Sequence, residues 1–348
     1  MSVYKRLIFP IIRHSDPEKA HDQTLRALAL AQKYGAGQAV LRRLAGNAPQ
    51  RPFSLCGLTF PNILGIAAGY DKDARVTNGL ALLGFGHVEV GTLTPQPQAG
   101  NPKPRIFRLP EDQAVINRMG FPNGGVAAAL PRLQALHNQP RNFVLGVSLG
   151  KQKETPLVEA AADYVSVMQA VYPYADYLAI NISSPNTPGL RELQGGGYLD
   201  HLLAAIMAEN RRLAGEQGGG KRPLFVKIAP DLTWAELDEI LTAIQNNGID
   251  GIIATNTTLS RDGLSHKHQE ESGGLSGRPL SQRSTEIIRY IARHTGSRLP
   301  IIGVGGVSSA ADVQEKREAG ASLVQIYTGL IYEGPGIAGQ ILRQLNHM

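Results

Sequence analysis

The chain has 348 residues, 42% hydrophobic and 18% charged, with 39 glycines and a single cysteine, Cys56. It is long enough to bury a large core, and one cysteine excludes an internal disulfide, a cysteine-ligated zinc site or an iron–sulfur cluster held by this chain alone. The net charge of +6 is unevenly placed: residues 1–50 hold eight Lys or Arg against three acids, a surplus of five.

Tyr4, Leu7, Ile8 and Ile11 recur at helical spacing and predict a short amphipathic helix. The apolar run 7–12 is short and Pro10 interrupts it, so no signal peptide is read, and no window approaches the ~20 apolar residues of a membrane span. Asp16-Pro17-Glu18 reads as a helix start, with Asp16 as cap and Pro17 at the first position. Leu25, Leu28 and Gln32 carry that helix to near Gly35; Val40, Leu41 and Leu44 mark another short turn of helix. Apolar faces flanked by Lys and Arg suit an interfacial membrane helix. They equally suit a helical hairpin packed on a larger domain, and the pattern alone does not choose. Residues 1–48 are read as one unit, 49–348 as another.

From Pro52 the character changes. Residues 53–60 predict a small hairpin turning at Cys56-Gly57. Eight short β-rich strands follow, at 63–67, 87–91, 143–149, 177–182, 224–228, 251–255, 301–304 and 323–327, with helical stretches between them, for example 233–246 and 284–295. Strict alternation implies a parallel sheet of the α/β class, and eight units imply a closed (β/α)8 TIM barrel with a small N-terminal helical extension. An open Rossmann sheet is the weaker alternative, because Gly303-Val-Gly-Gly306 is too short for a dinucleotide fingerprint.

In such a barrel chemistry collects at the C-terminal strand ends. Here those ends carry Ala68-Gly69-Tyr70-Asp71-Lys72, Thr92, Ser148, Asn181, Lys227, Asn256-Thr257, Gly305-Gly306 and Tyr327-Thr328. Small, amide and lysine groups with almost no acid favour an electron-rich planar ligand over a metal. Residues 179–191 run from a strand into Asn, Ser, Thr and Pro, donors and acceptors without charge on a backbone that proline stiffens. That suits a flat polar heterocycle; the plainer reading is a turn that reverses the chain. Gly305-Gly306 and Gly329 lie where barrels build phosphate sites from backbone N–H groups, or are only tight turns. Gly273 to Pro279 is a second glycine-rich loop, placed to close over the same ligand. Lys72 and Lys227 are solvated residues or, if Lys227 enters the barrel mouth, a cation favouring an anionic reduced flavin. His14 and His21 lie outside the barrel, no HExxH occurs, and metal catalysis has no support.

The segments Ala-Ala-Gly-Tyr-Asp-Lys (67–72), Asn-Arg-Met-Gly-Phe (117–121), Asn-Ile-Ser-Ser-Pro-Asn-Thr-Pro-Gly-Leu-Arg (181–191), Val-Lys-Ile-Ala-Pro-Asp (226–231), Ile-Ala-Thr-Asn-Thr-Thr (253–258) and Gly-Gly-Leu-Ser-Gly-Arg-Pro (273–279) resemble dihydroorotate dehydrogenases. The resemblance is to class 2, the quinone-dependent, membrane-associated form, and covers essentially the whole chain. It implies an FMN barrel oxidising (S)-dihydroorotate to orotate in pyrimidine biosynthesis, with a base removing the C5 proton and hydride leaving from C6. By family position the base is Ser184, where class 1 enzymes place a cysteine. The resemblance assigns substrate binding to Lys72, Asn117, Arg118, Met119, Gly120, Phe121, Asn181, Asn186, Asn256 and Thr257. It assigns FMN to Ala68, Gly69, Tyr70, Asp71, Lys72, Thr92, Ser148, Asn181, Lys227, Thr255, Gly277, Gly306, Tyr327 and Thr328. Ubiquinone or menaquinone would enter between the N-terminal helices past His21, Arg108 and Tyr327.

The same resemblance implies no metal, no nucleic acid, no iron–sulfur partner subunit, and peripheral attachment to the cytoplasmic face of the inner membrane, where anionic headgroups attract each Lys or Arg by ~1 kcal/mol. Ser148 departs from the Asn of class 2 relatives; a shorter hydroxyl loses a hydrogen bond or recruits a water. Tyr70 and Ala74 depart from the commoner Leu and Gly, with no consequence to derive. A tRNA dihydrouridine synthase, also an FMN barrel, would need a cysteine acid near the flavin, but Cys56 precedes strand one and the charge sits on the arm. A membrane-binding module with a vestigial barrel would have lost Lys72, Asn181 or Ser184; all three are present.

Overall fold

The computed structural model describes residues 4–46 and 48–347. Helical turns over Tyr4–Ile8 lead into α1 (Phe9–Ile12), α2 (Pro17–Lys33) and α3 (Gly35–Ala45). Asp16 caps α2, its carboxylate accepting from the Lys19 N–H at 2.8 Å. α2 ends at Lys33, near Gly35 as expected; Gly35 itself opens α3, and Tyr34, in extended conformation, turns the chain. That reversal needs close approach: a Cβ on Gly37 would fall on the Ala31 backbone.

Strands β1 (Phe53–Leu55) and β2 (Leu58–Phe60) form the expected hairpin, with Cys56 and Gly57 both at positive φ as a two-residue turn of matching twist requires. Eight strands then close the barrel in the order β3 (Leu64–Ile66), β4 (His87–Leu93), β7 (Val144–Leu149), β8 (Tyr177–Asn181), β9 (Leu224–Ile228), β10 (Gly251–Ala254), β12 (Ile301–Val304) and β13 (Leu323–Ile326), every pair parallel. Buried on both faces, they read as apolar runs rather than alternations. Helices fill the outside, two of them fixed by reciprocal caps, Thr233 with Glu236 and Ser309 with Asp312.

Three strands lie outside the sequence reading. β5 (Ile106–Leu109), β6 (Ala114–Asn117) and β11 (Gly274–Gly277) make an antiparallel sheet beside the barrel mouth. Gly274-Leu-Ser-Gly277 has little strand propensity of its own. Its extended form comes from pairing with β6, Gly274 opposite Asn117 and Gly277 opposite Ala114, a contact no local pattern reveals.

The N-terminal helices share the barrel's core: Leu25, Leu28 and Leu41 are buried in the main apolar cluster. Gln32 bridges to the barrel, donating to Arg75 O at 2.7 Å and accepting from Gly79 N at 2.8 Å. Much of the rest of the arm is exposed. Among the described residues, seven of the eleven exposed large hydrophobics, Leu7, Ile8, Ile11, Leu30, Tyr34, Val40 and Leu44, lie on this arm. Among the described residues no helix is long and apolar enough to cross a membrane.

Below the mouth, the barrel interior holds Phe60, Ala179, Phe225 and Ile253 around a few polar groups. One is His87, wholly buried edge-on to Phe60 at 5.5 Å between ring centroids, neither ring nitrogen partnered. Burial lowers its pKa from 6.5 to about 4. The unfolded chain therefore gains a proton below pH 6.5 that the folded chain refuses until about pH 4. Stability should fall across that window by up to about 1.4 kcal/mol per pH unit from this residue. We expect His87→Phe to flatten the acid limb of the urea midpoint measured from pH 7 to 4; an unchanged slope would show that the burial of this ring does not govern it.

Candidate active site at the open end of the barrel

A cleft of about 1020 Å³ opens at the C-terminal strand ends. Its lining contains no carboxylate and no imidazole, but two lysines, four asparagines and several hydroxyls. Lys72 enters from the loop after β3, its ammonium donating to Gly69 O at 2.8 Å, and burial lowers its pKa. Lys227, near the end of β9, is 4% exposed and pairs with Glu89 at 3.3 Å.

The asparagines are orientated by one another. Asn181 donates to Thr92 Oγ1 at 2.8 Å and accepts from Asn256 Nδ2 at 3.4 Å. Asn256 accepts from Thr257 N at 2.8 Å and donates to Ser183 Oγ at 3.0 Å, so both ends of its amide are engaged. Asn186 Nδ2 donates to Asn117 Oδ1 at 3.2 Å. That leaves the Asn117 NH2 as donor and the Asn186 carbonyl as acceptor toward the cleft, the pattern that matches one amide unit of a ring. Between them sits Ser184, 5% exposed, its Oγ accepting from Asn186 N at 3.2 Å. The loop is held from behind by Asn101, which donates to Asn186 O at 3.0 Å, and by Arg191, which donates to Ser183 O at 3.1 Å.

Opposite, Gly277, Gly305 and Gly306 all have positive φ. Any Cβ on Gly306 would strike the backbone of Ser281, and one on Gly329 the Val307 carbonyl, so these turns admit only glycine. Thr328 Oγ1 donates to Ser276 Oγ at 2.8 Å and closes the ring of contacts beneath β11.

Ala68, Gly69, Lys72, Thr92, Asn117, Met119, Gly120, Phe121, Asn181, Ser184, Asn186, Lys227, Thr255, Asn256, Thr257, Gly277, Gly306, Tyr327 and Thr328 thus line one cleft. Four residues assigned to it by resemblance lie elsewhere. Ser148 is behind Thr92, hydroxyl to hydroxyl at 2.9 Å. Asp71 turns away, accepting from Arg75 N, Val76 N and Thr77 Oγ1, and so pins its own loop. Arg118 reaches out to Glu271 at 2.7 Å. Tyr70 faces a second cavity. Sequence reasoning missed Gln325, Ser276 and Leu280 in the lining and Glu89 beneath it. The available signal was a polar residue interrupting an apolar strand, Val88-Glu89-Val90 and Val324-Gln325-Ile326.

The second cavity, about 1500 Å³, opens between the arm and the barrel. Ile8, Ile12, Leu28, Leu41, Leu44 and Leu330 make it largely apolar, with His21 and Arg108 among its few polar points. His21 Nε2 and Arg108 Nη2 are buried without partners. Burial, then the Lys72 charge, lowers the His21 pKa to about 3, so its imidazole is neutral at physiological pH. Lys72, Asn117, Met119 and Tyr327 line both cavities and form the wall between them.

Fold and site together define a (β/α)8-barrel enzyme whose ligand sits at the strand ends, with an apolar chamber behind it under a helical arm. The chain belongs to the dihydroorotate dehydrogenase family: the family model described as dihydroorotate dehydrogenase matches residues 52–348. It is 52% identical to a dihydroorotate dehydrogenase (quinone) of Marinomonas sp., over 92% of this chain and 90% of that protein. To one from Chloroflexus aurantiacus it is 50% identical, over 98% and 96%. The crystal structure of an Eimeria tenella dihydroorotate dehydrogenase in complex with ferulenol superposes with a TM-score of 0.86 at 39% identity, covering 97% of this chain and 93% of that one.

Proposed function

We propose that this chain oxidises (S)-dihydroorotate to orotate at the polar cleft, with FMN as the resident cofactor, Ser184 as the base and a membrane quinone drawing electrons through the apolar cavity. The observation that carries the reading is the pair of cavities, one polar and cationic, one apolar and opening beneath the arm, separated only by Lys72, Asn117, Met119 and Tyr327.

The cleft fits FMN on its own chemistry. A lining without acid does not repel a phosphate, and the glycine turns at 305–306 and 329 bring backbone to the surface. Thr257 Oγ1 and Gln325 Oε1 are buried without protein partners. FMN, when bound, supplies the hydride acceptor; Gly306, Thr328 and Lys227 would hold it.

The chain's own groups do the rest. Lys72 meets the substrate carboxylate, and that anion offsets the effect of burial on its ammonium. Asn117 and Asn186 read the ring's amide, one giving and one receiving a hydrogen bond. Ser184 Oγ, held by the Asn186 N–H, takes the C5 proton. No carboxylate or imidazole lines the cleft beside it, so its own proton leaves to water rather than to a paired base. Tyr327 and Met119 exclude solvent from the wall. In the second cavity Arg108 Nη2 offers a donor to a quinone carbonyl, and the neutral His21, its other ring nitrogen turned to the Tyr70 backbone, offers Nε2 as an acceptor to a quinol hydroxyl. The exposed apolar and basic residues of the arm seat the protein on a bilayer surface as a peripheral protein.

The test is anaerobic mixing of the purified protein with dihydroorotate while following the oxidised-flavin band near ~450 nm, whose position the site tunes. Bleaching, then recovery on adding a soluble ubiquinone analogue, is the expected result. A bound flavin that stays oxidised would point to another substrate, and a preparation without flavin would end the reading.

A further inference from the structure

We propose that Glu89, which lines neither cavity, is the positioning residue that sets how strongly Lys227 favours the reduced form of the bound flavin. The inference rests on the FMN reading above. Glu89 stands on β4, wholly buried inside the barrel, where a carboxylate is costly unless its lone pairs are met. Three groups meet it. Lys227 Nζ donates to Oε1 at 3.3 Å, and the Tyr177 hydroxyl and Gln325 Nε2 donate to Oε2 at 3.0 and 2.9 Å.

Two of those three donors, Lys227 and Gln325, also line the polar cleft. Lys227 spends one of its three N–H groups on Glu89 and has two for a ligand. Gln325, having given its amide nitrogen to Glu89, is left with Oε1 unpartnered. One buried carboxylate therefore orients both. Filling alone does not account for it: Glu89 and its partners sit with Ala179, Phe225 and Ile253, and a buried ion pair gains nothing over well-packed apolar side chains.

The sign follows from charge. A cation beside a flavin favours the electron-rich reduced form, and a carboxylate behind that cation opposes it. Neutralising Glu89 frees the full charge of Lys227 and raises the flavin potential. Tyr177 acts the other way. Its hydroxyl shares the Glu89 charge, and burial together with Glu89 keeps it protonated. Removing it throws more of that charge onto Lys227 and lowers the potential.

The midpoint potential of the bound flavin, measured on purified holoenzymes by equilibration with a reference dye, decides the matter. For Glu89→Gln, an isosteric change, we expect the flavin to be about tenfold more reduced than in wild type at equal poise, an upward shift of about 30 mV for a two-electron couple. For Tyr177→Phe we expect a smaller downward shift. A Glu89→Gln holoenzyme whose midpoint equals or lies below that of wild type overturns the proposal, since a merely structural carboxylate would alter the melting temperature and leave the potential alone. If Glu89→Gln retains no flavin, Tyr177→Phe decides: a midpoint below wild type supports the role, and one equal to or above it overturns it. A wild-type chain without FMN overturns the flavin reading itself, a failure distinct from an unmoved midpoint.

Discussion

Replacing Ser184 with alanine is expected to slow reduction of the flavin by dihydroorotate by about 10²–10⁴-fold, the range a general base contributes, while FMN stays bound. The change removes one oxygen. The loop that carries it keeps its other ties, from Asn101 to the Asn186 carbonyl and from Arg191 to Ser183, so local collapse is not expected. The loss would therefore appear in the reductive half-reaction and not in flavin content. A serine is a weak base, and nothing acidic in the cleft stands ready to take its proton. Ser184→Cys offers a second reading of the same role: a thiol with an ordinary pKa of about 8.5 should make the reduction rate climb with pH through that region. Stopped-flow mixing without oxygen measures both. Wild-type reduction kinetics in Ser184→Ala would remove Ser184 as the base and turn attention to Lys72, the nearest alternative that burial pushes toward its neutral form.

The barrel was legible because its signal is local and repeated. Eight apolar β-rich runs each flanked by helical stretches leave few architectures, and the structure places them within a residue or two of expectation. The arm was half legible. Its helices followed from periodicity and from Asp16-Pro17, but whether the apolar face met lipid or protein did not. In the structure Leu25, Leu28 and Leu41 pack inward, while Leu7, Ile11 and Leu30 stay exposed. What the sequence hid depends on contacts between distant residues. β11 is a strand only because β6 lies beside it. Arg118 and Asp71 share motifs with cleft residues, yet one bonds outward to Glu271 and the other folds back on its own loop. Motif membership places a backbone near a site; it does not aim a side chain.

Arg108→Leu is expected to raise the KM for quinone by about 10- to 100-fold, the loss of a hydrogen bond to a charged donor, with reduction by dihydroorotate unchanged. Arg108 sits on β5 at 8% exposure, with Nη1 donating to the Ile12 carbonyl and Nη2 unpartnered. No ion pair with a carboxylate is made by it among the described residues, so a cation faces an apolar chamber without a counter-charge. Such a group is poorly placed for stability and well placed for a polar atom arriving on an apolar ligand. Leucine should accordingly fold at least as well, which makes a loss of quinone turnover interpretable. Deleting the arm would be a blunter test. Leu25, Leu28 and Leu41 would leave the core, and the Glu18 carboxylate would abandon Arg105, 2.7 Å away. The point change separates the two half-reactions without opening the core. Equal impairment of both would mean that the two cavities do not divide the chemistry as proposed, and an unaffected quinone KM would move the acceptor site away from Arg108.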